Sequence, residues 1–184
     1  MGFEEESIFL KQPEVQYPDI YHNYLLEGEY LYALINPDPN VYVYKVADSF
    51  RLEYNIELYP ENYKRLSDRE NQDVNRAIAV NSSFNGILKD GLYLIATYTT
   101  GIPEDQYPKS GLGISGINEV SSTYDRLYLS IYDQRGKKIM EDVKAPFEVA
   151  SIKKRMDEGT FIAVPHSGRV EKRDKVIFYV VQLV

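Results

Sequence analysis

The chain has 184 residues, enough to bury a sizeable core in one domain. It has no cysteine, so disulfides and thiolate metal sites are excluded. Its net charge of −7 argues against a general nucleic-acid binder, which needs a basic field to meet phosphates.

Residues 1–27 have no clear period and contain Pro13 and Pro18. They read as an extended N-terminal arm, with a short helical turn around "DIYHNYLL". The opening "MGFEEESIFLKQ" is acidic and lacks a long apolar stretch, so neither a secretory signal nor a transit peptide is expected. The longest apolar run, "VIFYVV", is far short of the roughly 20 residues a membrane helix needs. A protein of the cytoplasm or of a virion, without a membrane partner, is the expectation.

From residue 28 onward the pattern is that of a β-rich domain. "EYLYALI" (29–35) and "VYVYKV" (41–46) are strand-like and are separated by the turn-forming "NPDPN". "FRLEYNIELY" (50–59) alternates strictly: Leu52, Tyr54, Ile56 and Leu58 share one face, and Arg51, Glu53, Asn55 and Glu57 the other. Ser67 and Glu70 fit a capping box, and Val74, Ala77 and Ile78 follow at helical spacing, which predicts a helix over 68–79. Lys89-Asp90-Gly91 launches a strand over 91–100.

Residues 101–122 then read as a long loop containing Gly111, Gly113 and Gly116, the spacing G-x-G-x-x-G. A dinucleotide site needs the first glycine directly after a strand and a helix beginning at the third. Here the preceding strand ends near Thr100, and the stretch before the next strand leaves no room for a normal helix, so no nucleotide is expected. The loop is apolar for a linker, which points to its being covered by a partner or folded back on its own sheet.

"RLYLSIYD" (126–133) and "KKIMEDV" (137–143) flank "QRG" as a hairpin. Pro146 opens a predicted helix with an apolar stripe of Phe147, Val149, Ile152 and Met156, which Gly159 stops; Lys153 to Arg155 form its cationic end. "TFIAV" and "KVIFYVVQLV" close the chain around a charged tip, and the second reads as a central strand buried on both faces. The fold class predicted is mainly β: a single antiparallel β-sandwich or barrel-like domain (28–184) with one or two short helices and an N-terminal arm (1–27).

Chemistry is sparse. His166 and Ser167 adjoin in sequence, without a nucleophile elbow, and read as a surface histidine beside a serine. Glu53 and Glu57 stand about 13 Å apart on one strand, too far for a glycosidase pair. "SDRENQDVN" lacks the glycine and terminal glutamate of a calcium loop, and Asp38 in "NPDPN" suits a turn better than an ion. No catalytic residue, metal or cofactor is expected.

The 17 tyrosines, without tryptophan, suit strands and interfaces alike. Charge is uneven: residues 1–133 sum to −11 and residues 134–184 to +4, a pattern that would let unlike regions of two chains meet. The sequence therefore points to a non-enzymatic structural or adaptor component of a larger assembly, such as the head, connector or tail of a phage or virus particle. It would meet protein partners, in a homo-oligomer or hetero-assembly, through Phe9, Tyr17 and Tyr21 of the arm. Ile102, Tyr107, Leu112, Ile114 and Ile117 of the 101–122 loop would supply the other contacts. The alternative is a β-sandwich module binding carbohydrate or another small ligand through exposed tyrosines, and a third class is a hydrolase or isomerase, which a deep pocket with clustered carboxylates and His166 would favour.

Overall fold

The computed structural model describes residues 20–64, 74–108, 113–166 and 178–183. Four strands, β1 (Tyr21–Glu27), β2 (Tyr30–Asn36), β3 (Asn40–Lys45) and β4 (Arg51–Glu57), form an antiparallel meander in chain order. A short helix α1 (Val74–Val80) leads into the second sheet, β5 (Ser83–Asp90), β6 (Tyr93–Thr99), β7 (Leu127–Tyr132) and β8 (Val143–Lys144), also in chain order. Helix α2 (Ile114–Tyr124) lies between β6 and β7. The third sheet has β10 (Thr160–Pro165) between β9 (Val149–Asp157) and the edge strand β11 (Tyr179–Gln182). All pairings are antiparallel, and no sheet closes into a barrel among the described residues.

The second sheet is the middle layer, and its strands supply both cores. On β6, Leu94, Ala96 and Tyr98 turn toward the first sheet and meet Leu34, Val41, Val43 and Ile56. Ile95 turns the other way, joining Leu127, Leu129 and Ile131 of β7 against Val149, Ile152, Phe161 and Ala163 of the third sheet. The two-residue period of a strand thus feeds two hydrophobic clusters from one segment. A strand with apolar neighbours on both faces reads as a continuous apolar run, as "YLIAT" does.

Two-residue turns set the register of the hairpins. Gly28, with φ 59°, is the first turn residue between Glu27 and Tyr30, and Gly91, with φ 57°, plays that part between Asp90 and Tyr93. A positive φ at the first position is the geometry that matches strand twist, and glycine adopts it without steric cost.

Several expectations are corrected. "DIYHNYLL" is not helical: Tyr21–Glu27 pairs residue for residue with β2, so the sheet begins inside the stretch assigned to the arm. The helix expected after Pro146 is strand β9, whose nine residues oppose the six of β10 across three register shifts. Each shift inserts a bulge residue, so Val149 and Ile152, three apart, face Pro165 and Ala163, two apart. That three-residue spacing imitates a helix. The cationic run at 153–155 consequently lies on a strand.

The last strand is an edge rather than a centre, with alternating half-buried and exposed residues and Val180 largely exposed. The expected arm 137–143 contributes only β8 and an isolated bridge between Tyr132 and Lys138. Strand β5 is not among the predicted elements; Gly86 within it flanks a register shift opposite β6. Of the helix expected over 68–79, α1 covers Val74–Val80; Ser67 and Glu70 lie outside the described residues.

The 101–122 loop is largely ordered structure. A 3-10 turn spans Glu104–Gln106, and α2 follows from Ile114. Its sequence, "ISGINEVSSTY", has weak helix propensity. Burial outweighs this, because Ile117, Val120 and Tyr124 meet Ala79 and Val80 of α1, with Ile102 and Tyr107 completing the cluster. Gly101 makes that closure possible: it adopts φ 72°, and a Cβ there would come within 2.6 Å of the Val80 carbonyl oxygen.

Candidate functional site

Ionisable groups converge at the rim of the first core. Asp142, whose side chain is fully buried, accepts hydrogen bonds at Oδ2 from the Tyr98 hydroxyl and, at 2.7 Å, from the Glu61 N–H. Its Oδ1 lies 2.7 Å from Lys138 Nζ, which also donates to Glu61 Oε1 at 2.7 Å and to the Tyr59 carbonyl at 3.0 Å. The Tyr132 hydroxyl accepts from the Tyr59 N–H at 2.7 Å and from Ser130 Oγ at 2.9 Å.

Burial alone would push the Asp142 carboxyl up. Hydrogen bonds from Lys138, Tyr98 and the Glu61 backbone outweigh it and hold the group below the usual carboxylate range. Burial works against the charge on Lys138, but its two carboxylate partners raise its affinity for the proton. Tyr98 and Tyr132 are both pushed up, by burial first; the bond to Asp142 adds to the rise at Tyr98. The network ties residues 59–62 to the segment 138–142. Its members are joined to one another across the two segments.

A second buried group occupies "NPDPN". Asp38 is fully buried and accepts from Asn40 Nδ2 at 2.7 Å and from the Tyr42 hydroxyl at 2.9 Å. Asn36 Oδ1 accepts from the Phe84 N–H at 2.9 Å, fastening the turn to the middle sheet. The turn expected from its prolines is thus also a polar plug, and the Asp38 carboxylate is engaged by chain atoms.

Two pockets bear on ligand binding. One of about 420 Å³ opens where β1, β5 and β9 approach one another, lined by Asn23, Asn85, Asp125, Ser151, Lys153 and His166 among others. The other, about 340 Å³, is mainly apolar and has Ile95 and Ile131 in its wall, with Tyr93, Ile139 and Met140 beside them. Neither takes Asp142, Lys138, Tyr98 or Tyr132 into its wall. Among the described residues, no three His, Asp or Glu side chains are grouped so as to hold a metal ion. Nor is any helix there long and apolar enough to cross a membrane.

The expected contact residues are scattered. Ile102, Tyr107 and Ile117 are buried against α1, so their apolar surface is engaged within the chain. The loop has folded back, onto a helix rather than onto the sheet. Phe9, Tyr17 and Leu112 lie outside the described residues, as do the side chains of Tyr21 and Ile114. Exposed apolar surface appears elsewhere, on Ile20, Tyr24 (56% exposed) and Leu26 (64%), at and just before β1. Glu53 and Glu57 stand in solvent, paired with Arg51 and the Tyr59 hydroxyl.

The G-x-G-x-x-G stretch does lead into a helix, contrary to expectation, since α2 starts at Ile114. The strands on either side of that helix are nevertheless antiparallel neighbours, whereas the dinucleotide motif sits between parallel strands. No family model, no curated protein and no solved structure matches the chain.

Proposed function

We propose that this chain is a non-enzymatic structural or adaptor component of a larger protein assembly. One observation carries the reading: Tyr24 and Leu26 stand in solvent side by side on the sheet-edge strand β1, while Asp142 and Lys138 are tied up in a clamp. Neighbouring exposed apolar side chains on one strand favour a partner. Ionisable groups joined in this way favour stability over chemistry. β-sandwich chains are common building blocks of viral shells and appendages, so a phage or virus particle, or the cytoplasm in which it assembles, is the setting proposed. Neighbours would be proteins, met through the N-terminal region and the β1 side of the first sheet. The 101–122 segment would add only side chains not already spent on α1.

Light scattering of the purified chain, alone and mixed with the products of neighbouring genes, tests this. Assembly in either condition supports it, and a monomer in both sinks it. Deleting residues 1–19, rather than 1–27, removes the start of the arm without taking β1 from its sheet.

The 420 Å³ pocket favours a second reading, a module for a small polar ligand, because amide, hydroxyl, carboxylate and ammonium groups all face it. Titration calorimetry with mono- and disaccharides tests that reading, and heats no larger than dilution would dismiss it for sugars.

A further inference from the structure

Sheet edges invite pairing with other chains, and folded proteins normally block them. Among the described residues, β4 exposes Arg51, Glu53 and Glu57 and carries a register shift, β8 has two residues, and β11 has four. Strand β9 is interrupted by its three bulges, and β5 by the register shift between Phe84 and Gly86. Strand β1 differs. It has seven residues in unbroken register with β2, and its one carboxylate, Glu27, sits at the turn.

The two-residue turn fixes which backbone groups face outward. Glu27 and Tyr30 close it as a hydrogen-bonded pair, and Leu25 and Asn23 continue that set. His22, Tyr24 and Leu26 therefore aim their N–H and C=O groups at the outer edge. Leu25 packs on the first core, so those same three residues present their side chains on the opposite face, where all three are exposed.

From this we propose that two copies of the chain pair antiparallel through β1 about a twofold axis at Tyr24, making a continuous eight-stranded sheet. The strand is its own complement in that register. Tyr24 meets the Tyr24 of the second copy, His22 meets Leu26, Asn23 meets Leu25, and Glu27 meets Tyr21, so no two carboxylates oppose each other. Side by side, Tyr24 and Leu26 of both copies make one apolar stripe that runs on into Leu31 and Leu52, which pack on the buried Tyr42 and Tyr44. The proposal names the partner for the assembly reading above and rests on it.

The test is sedimentation of the full chain over a wide concentration range, with three variants. Leu26→Lys is expected to weaken the dimer at least about tenfold, with the melting temperature of the dilute monomer unchanged. Tyr24→Pro loses only an outward N–H, which an edge strand tolerates, and should leave a folded monomer. Because the chain has no cysteine, Tyr24→Cys can form a disulfide only with its copy. Paired residues there sit about 5.5 Å apart at Cα, within disulfide range. It should cross-link under mild oxidation at least about tenfold faster than Tyr93→Cys, whose site is comparably exposed on another sheet.

A wild-type chain that stays monomeric at every concentration overturns the pairing. So does a dimer that survives Leu26→Lys and cross-links no better at 24 than at 93. In that second case, or if the monomer joins a neighbouring gene's product, the assembly reading still stands. A monomer alone and in every mixture removes both.

Discussion

The two cores of this molecule are built from different materials. The one between the first and middle sheets is aromatic: Tyr32, Phe84, Tyr98 and Tyr132 are buried there, with Tyr63 stacked on Phe84 at 4.5 Å between ring centroids. The one between the middle and third sheets is aliphatic, and among its buried described residues Phe161 is the single ring. A tyrosine buries its ring and still carries a hydroxyl, so the first core can end in hydrogen bonds that fasten loops. The second core is packed from aliphatic side chains, and its polar ties lie at the rim, where Asp90 of β5 accepts from the Gly159 N–H at 2.8 Å and pairs with Arg155 at 2.6 Å. The same middle sheet is therefore fastened through tyrosine hydroxyls on one side and through a rim ion pair on the other.

The largest expected effect breaks the aliphatic side. Phe161 is fully buried at the centre of its cluster, and Phe161→Ala should cost about 4 kcal/mol in chemical denaturation. On the aromatic side, Asp142→Ala strips the partner from Lys138, Tyr98 and the Glu61 N–H, and should cost about 3 kcal/mol by the same measurement. Tyr132→Phe leaves the Tyr59 N–H without its acceptor, and a loss of about 1–2 kcal/mol is expected. Arg51→Ala, on an exposed strand beside Glu53, should change stability by less than about 0.5 kcal/mol.

Acidity sharpens the contrast. The Asp142 carboxyl is held below its unfolded value, so its contribution is complete above about pH 4 and is lost as pH falls through the lowered folded value. The stability gap between wild type and Asp142→Asn should therefore close below about pH 4. Tyr98 and Tyr132 are shifted upward, so what they contribute is complete below about pH 10 and is lost above it. Tyrosinate absorbance should show these two ionising only as the chain unfolds. The penalty of Phe161→Ala should stay constant across both windows, because its cluster buries no ionisable side chain among the described residues.

Much of the architecture is legible in the residues themselves. Residues 51–57 form β4 as expected, and the turn signal at Gly91 sits at a two-residue hairpin turn. The single apolar face expected of β4 is corrected by a register shift opposite Val43 and Tyr44, which puts Leu52 on the face away from Ile56 and Leu58. Local pattern misleads where tertiary contacts set the conformation. The bulges of β9 give a strand the spacing of a helix, and α2 forms from weak helix formers because α1 is there to bury it. Strand β11 is apolar in sequence, yet it lies at an edge, a position that depends on which sheet receives it. The Asp142 clamp left no trace in the sequence. Its partners Tyr98 and Glu61 stand 44 and 81 positions away, and no spacing rule connects residues joined only by the fold. The exposed apolar residues of β1 were readable as apolar, but their exposure follows from the edge position of that strand.

The middle sheet has a bearing on how the chain comes apart. Neither outer sheet can peel away without wetting one side of β6 and β7, whose other side still leans on the remaining layer. Solvent should thus reach the amides of these two strands only when the whole body opens, and deuterium uptake there should be the slowest in the molecule. A polypeptide with its most protected seam in the middle can let its periphery flex or dock while its centre stays shut.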